Sequence, residues 1–173
     1  MKVLVHACCG PCVTYIADSF NKRNIEYKCL YFNPNIHPIE EHVRRKEALL
    51  EIGRQLEFDV EYDDLFLQEK WEQWTGTMDE RCDMCYESRL RETAKRAKEQ
   101  SFDAITTSLL ISPYQAHDRI KEIAQAVADE FGVEFYYEDF RLHFREGQRM
   151  ARGMQVYMQK YCGCICSLNG NGR

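Results

Sequence analysis

Two rhythms of apolar and polar residues alternate along this chain. Short β-branched runs are followed by longer stretches with an apolar residue every three or four positions. "KVLVHA" (2–7) is the first run, and "CVTYIADSFNKR" (12–23) reads as the helix after it. "YKCLYF" (27–32) predicts a second strand, which stops at "NPNIHP" (33–38), a loop by its asparagines and prolines. From about 39 to 56, Leu49, Ile52 and Leu56 share a helical face, and "FDVEY" (58–62) predicts the third strand. A helix over 81–100 opens with Cys-x-x-Cys and aligns Leu90, Ala94 and Ala97. "FDAITTSLL" (102–110) predicts the fourth strand. Ser112-Pro113 starts a helix with Ile120, Ile123, Val127 and Phe131 inward, closed by Gly132. "EFYYED" (134–139) predicts the fifth strand, and a last helix near 147–160 leads into "YCGCICSLNGNGR".

Strand and helix in alternation predict an α/β fold: a mainly parallel sheet with helices on both faces. No repeat or linker divides the chain, so we expect a single domain over 1–166, with 167–173 a frayed tail. In such a fold the working site lies at the carboxyl ends of the strands. That rule brings together "CCGPC" after strand one, "NPNIHP" after strand two and "SLLISPYQ" after strand four. The chain of 173 residues, 45% apolar and 29% charged, is of ordinary globular composition. No apolar run has the length of a membrane span, and "MKVLVHACC" is too short and too polar for a signal-peptide core. The expectation is a cytoplasmic protein with no membrane contact.

A net charge of −5 argues against general adhesion to nucleic acid, yet two segments are locally basic. "RLRETAKRAK" (89–98) has five cationic residues against one acid, and "RLHFREGQRMARG" (141–153) contains Arg141, Arg145, Arg149 and Arg152 with Phe144 among them. A solvated helix face and a nucleic-acid contact are the two readings of such runs.

The nine cysteines carry most of the chemical information. Cys29 stands alone on a strand and reads as a core residue. The others form three clusters: Cys8-Cys9-Gly-Pro-Cys12, Cys82-x-x-Cys85 and Cys162-Gly-Cys164-x-Cys166. The first two are expected just before helices, where backbone N–H groups favour thiolate over thiol. By spacing alone three readings stay open: structural zinc, an iron–sulfur site, or thioredoxin-like exchange between Cys9 and Cys12. A surplus of thiols beyond four weighs against a purely structural zinc.

"HACCGPC", "YFNPNIHPIEEHVRR", "RCDMCYESRLRETA", "TTSLLISPYQ" and "MQKYCGC" resemble, in order, the motifs of the cobalamin-independent epoxyqueuosine reductase family. The resemblance runs from Leu4 to Cys164. It implies a fold similar to the nucleotide-binding ATP pyrophosphatases, with "CCGPC" in place of their phosphate loop and hence no ATP hydrolysis. It implies reduction of epoxyqueuosine to queuosine at the wobble position of tRNA. It further implies that Cys8, Cys9, Cys82 and Cys85 hold a [4Fe–4S] cluster and that Cys162 and Cys164 are a redox-active pair, with an additional iron as a further option for the surplus thiols. Cys12 and Cys166 receive no role from it. The partners it implies are the tRNA anticodon loop and an external electron donor such as a ferredoxin. The alternatives carried beside it are a zinc-stabilised RNA-binding module without catalysis and a thioredoxin-like dithiol oxidoreductase.

Overall fold

The computed structural model describes residues 1–168. Its sheet is five-stranded and all parallel, in the order β3-β2-β1-β4-β5. The strands are β1 (Lys2–His6), β2 (Glu26–Phe32), β3 (Val60–Asp63), β4 (Ala104–Thr107) and β5 (Glu134–Phe135). Val3, Leu4 and Val5 are all fully buried, as a central parallel strand covered on both faces requires. Parallel neighbours need long crossovers, and helices make them. They are α1 (Gly10–Lys22), α2 (Ile39–Leu56), α4 (Met78–Glu99) preceded by the short α3 (Gln68–Glu72), and α5 (His117–Phe131). After β5, α6 (Phe144–Gly153) packs on α1, and a short α7 (Ile165–Leu168) ends the described chain. Among the described residues no helix is long and apolar enough to cross a membrane.

The helical faces read from periodicity are the buried ones. Leu49, Ile52, Leu90, Ala94, Ala97 and Ile120 are fully buried, as is Cys29, whose thiol burial pushes well above its ordinary value. The boundaries differ for local reasons. β4 stops at Thr107, whose hydroxyl accepts the Leu109 N–H and turns residues 108–111 into a 3-10 helix. The helix expected from Ser112 begins at His117, because the Ser112 hydroxyl accepts the Tyr114 N–H and holds a turn there. The fifth strand keeps only two ladder positions, opposite Ala104 and Ile105 of β4. Ser167 and Leu168, expected in a frayed tail, belong to α7, and the rest of that tail lies outside the described residues.

Candidate active site

The sheet changes winding direction between β1 and β4, and a crevice opens at their carboxyl ends, the usual ligand position in open α/β sheets. Cys8 and Cys9 leave β1 directly into that crevice. Cys9 is the N-cap of α1 and Pro11 occupies its first turn, where a missing N–H costs nothing. Gly10 allows the close approach to α2, since a Cβ there would lie 2.8 Å from Ile52 Cδ1 and 3.1 Å from the Ala48 carbonyl oxygen. Cys12 points back to the same spot. The sulfurs of Cys8, Cys9 and Cys12 lie within 4.8 Å of one another, all buried, with Cys8 and Cys9 3.7 Å apart.

This trio is polarised. The Ser108 hydroxyl at the end of β4 accepts the Cys8 N–H at 3.0 Å and lies 3.3 Å from its sulfur. The Gln159 amide donates to Cys9 and Cys12 at 2.7 and 3.3 Å. Hydrogen bonds from Cys12, Cys9 and Ser108 hold Cys8 well below the ordinary thiol range. Burial pushes Cys9 up, and the bonds Cys12 gives to Cys8 and Cys9 raise Cys12.

Across the crevice, Cys82 and Cys85 lie in the second turn of α4 rather than ahead of it. The helix starts four residues earlier than the Cys-x-x-Cys, at a capping box between Thr77 and Glu80. Their three-residue spacing therefore places both thiols on one inward helix face, and the helix-terminus argument does not apply to them. Facing them is the C-terminal segment. Gly163 sits at φ +102°, and a Cβ there would meet Ile36 Cγ1 at 3.0 Å and Arg45 Nη1 at 3.1 Å. Arg45 donates to the carbonyls of Tyr161 and Cys162 at 2.8 and 3.1 Å, pinning the Cys-Gly-Cys turn. A cavity of about 460 Å³ has Cys8, Cys12, Cys82, Cys162 and Cys164 in its walls. Cys82 also borders an adjoining small pocket with Cys85, Cys162 and Cys164. Among the described residues no cysteine is in a disulfide, and Cys162 is exposed.

Three buried arginines, none singled out by the sequence reading, lie among the cysteine clusters. Arg45 bears on Cys9, Arg89 on Cys85, and Arg81 donates from Nε to Cys164 Sγ at 3.2 Å. Burial opposes ionisation of Cys164, yet with Arg81 its thiol falls below the ordinary value. Among the described residues the one buried carboxylate is Glu41, bound by Arg45 at 2.7 Å. Arg89 grips the side-chain amide oxygen of Asn35 at 3.1 and 2.9 Å and makes no ion pair among the described residues. The cavity lining therefore carries excess positive charge, which suits thiolate ligands. Soft sulfur donors with cationic compensation fit a thiolate-bound metal or an iron–sulfur group. Arg81 and Arg89 flank the Cys-x-x-Cys at helical spacing, a signal the sequence did contain. Gln159 carried none, because nothing local ties it to residues 147 and 150 positions away.

His6 is a satisfied core histidine, 2.9 Å from Thr107 Oγ1 and 3.2 Å from Asn33 Oδ1. Asn33 and Asn35 bracket a turn, in which the Asn33 carbonyl accepts the Ile36 N–H, and both side chains are buried. Of the basic candidates, Arg141 is bound to Asp139, whereas Arg145, Arg149 and Arg152 are exposed and make no ion pair among the described residues. Tyr157 donates to Glu41, and Tyr161 to the His37 carbonyl, so both hydroxyls are internal.

The chain resembles known proteins along nearly its whole length. The family model described as Epoxyqueuosine reductase QueH matches residues 3–170. The protein named Epoxyqueuosine reductase QueH from Dehalococcoides mccartyi is 32% identical over 96% of this chain and 92% of its own. Its namesake from Thermotoga maritima is 30% identical over 96% and 90%, and that from Haemophilus influenzae 29% over 99% and 74%. A solved structure, a deacetylase complex from the teicoplanin biosynthesis pathway, superposes with a TM-score of 0.56 over 99% of this chain and 88% of that one. At 8% identity that likeness concerns the fold alone.

Proposed function

The chain belongs to the epoxyqueuosine reductase QueH family, and from that premise we infer that the cysteine-walled cavity is where the epoxide of a tRNA wobble nucleoside loses its oxygen. The enzyme is an oxidoreductase that converts epoxyqueuosine to queuosine. The conversion takes two electrons and two protons, breaks both C–O bonds of the epoxide, forms a C=C bond and releases the oxygen as water.

The observation that carries the site assignment is the meeting of Cys8, Cys9 and Cys12 within 4.8 Å at a cavity that Cys82, Cys162 and Cys164 also wall. We propose Cys8, Cys9, Cys82 and Cys85 as the residues that would hold a [4Fe–4S] cluster, with Cys12 a further thiol for an additional iron. Such a cluster supplies one-electron transfer, and an iron with an open position supplies Lewis acidity toward oxygen. This chain's own residues would do the rest. Ser108 and Gln159 orient the first three sulfurs. Arg45, Arg81 and Arg89 balance thiolate charge. Cys162 and Cys164, with Arg81 on the second sulfur, would give up two electrons and two protons as they oxidise to a disulfide. A one-electron protein such as a ferredoxin is the proposed external donor that restores them.

The test is metal and acid-labile sulfide analysis of protein purified without oxygen, followed by nucleoside chromatography of treated epoxyqueuosine-containing tRNA. Iron and sulfide near four each, lost on Cys82→Ala or Cys85→Ala, are the expected result. Cys162→Ser is expected to keep the metal and lose turnover. Zinc without sulfide would overturn the cluster, and wild-type turnover in Cys162→Ser would remove the dithiol.

A further inference from the structure

At the mouth of the cavity stands a side chain that the folded chain leaves unused. Tyr114 is 76% exposed, although it belongs to the cavity rim. It is not a loose loop residue. Its N–H is held by the Ser112 hydroxyl at 3.3 Å, and its ring meets the Phe144 ring edge-to-face, 5.8 Å between centroids at 84°. That contact fixes the ring while most of its surface faces solvent.

Beside it runs a ridge of positive charge. Phe144 begins α6, and Arg145, Arg149 and Arg152 follow at four- and three-residue spacing on one exposed side of that helix. Like charges so spaced cost helix stability. None of the three makes an ion pair among the described residues, whereas Arg23, Arg54, Arg91, Arg96, Arg119 and Arg141 all bind carboxylates. Lys160, also exposed and without an ion pair there, stands on the cavity's rim. In a chain of net charge −5, such a ridge is a local feature and not the consequence of composition.

We propose that Tyr114, braced by Phe144, is a stacking platform for an unstacked base of the anticodon loop, and that Arg145, Arg149 and Arg152 carry the adjoining phosphates. The proposal rests on the tRNA-substrate reading above and deepens it. The epoxide belongs to a substituent of the wobble base, so a substituent reaching the cysteines leaves the base itself, or its neighbour, at the mouth. Single-stranded RNA is held there by the two means this rim offers, an aromatic face for the base and guanidinium groups for the backbone.

The two halves of the proposal have separate signatures in one experiment. Affinity for a fluorescently labelled anticodon stem-loop is measured by anisotropy across a salt series, and turnover of epoxyqueuosine-containing tRNA is followed in parallel. Tyr114→Ala is expected to weaken binding about 10-fold without changing the salt slope, and Tyr114→Phe to stay within about 2-fold of wild type. Arg145→Ala is expected to reduce the slope of log affinity against log salt by about 0.7. Both side chains are exposed, so neither change removes core packing. Wild-type affinity in Tyr114→Ala, or an unaltered slope in Arg145→Ala, would overturn the platform even if the wild-type enzyme turns over. A wild-type enzyme that binds the stem-loop through these residues but converts nothing would instead sink the reductase reading and support the platform.

Discussion

Arg89 shows how much one side chain carries here. Its guanidinium is buried, grips Asn35 through two donors and lies beside Cys85. A lysine keeps the charge but cannot reproduce the fork. Arg89→Lys is therefore expected to destabilise by about 2 kcal/mol, the scale of a lost buried charged hydrogen bond. Chemical denaturation reads that loss, and with the proposed cluster bound, faster release of its iron to a chelator is expected beside it. Gly163 makes a different demand. At φ +102°, with Ile36 and Arg45 at 3.0 and 3.1 Å from a Cβ, Gly163→Ala has neither backbone freedom nor space. Strain of about 1–3 kcal/mol is expected to move the Cys162–Cys164 turn. Turnover should fall at least 10-fold while metal content stays at the wild-type level.

Among the elements, α4 sets the far wall of the site. Its capping box satisfies the first-turn N–H groups directly before Arg81 and Cys82. Thr77→Ala is expected to cost about 1 kcal/mol and lower Tm by about 2–4 °C, read by calorimetry. The Thr-x-x-Glu signature of that cap was present in the sequence as "TMDE". Periodicity alone placed the helix start at residue 81, because the apolar face is sparse before Leu90. The strands show the opposite case: "KVLVHA" and "YKCLYF" were legible in full, since two-sided burial leaves a continuous apolar run. The last strand was overextended because "EFYYED" has strand-forming residues but only two of its positions find a ladder partner.

Across the whole molecule, folding forces polar groups inward, and pH should reveal it. His37 is fully buried, both ring nitrogens lack a hydrogen-bond partner among the described residues, and burial lowers its pKa from 6.5 to about 4. Between those values the unfolded chain binds a proton that the folded one refuses, so stability present above pH 6.5 is lost as pH falls toward 4. From pH 7 to pH 5 this histidine alone is expected to remove about 2 kcal/mol. Urea denaturation should find that loss about 2 kcal/mol smaller in His37→Phe. Much of the design was already written along the chain. The alternating elements, the parallel sheet, the three cysteine clusters and the crevice at the strand ends all follow from local periodicity and from a topological rule, and ordered motifs identified the family. What only the tertiary structure decided is which groups meet. Cys12 joins Cys8 and Cys9 from the first turn of α1, and Ser108 and Gln159 reach those sulfurs from positions at least 100 residues away. Arg45 bears on Cys9 and on the Cys162 carbonyl, Arg81 on Cys164 and Arg89 on Cys85, and Tyr114 is left bare at the mouth. Periodicity reports which face of an element is buried. Side-chain encounters between distant segments depend on how those faces close on one another, and no local pattern encodes that.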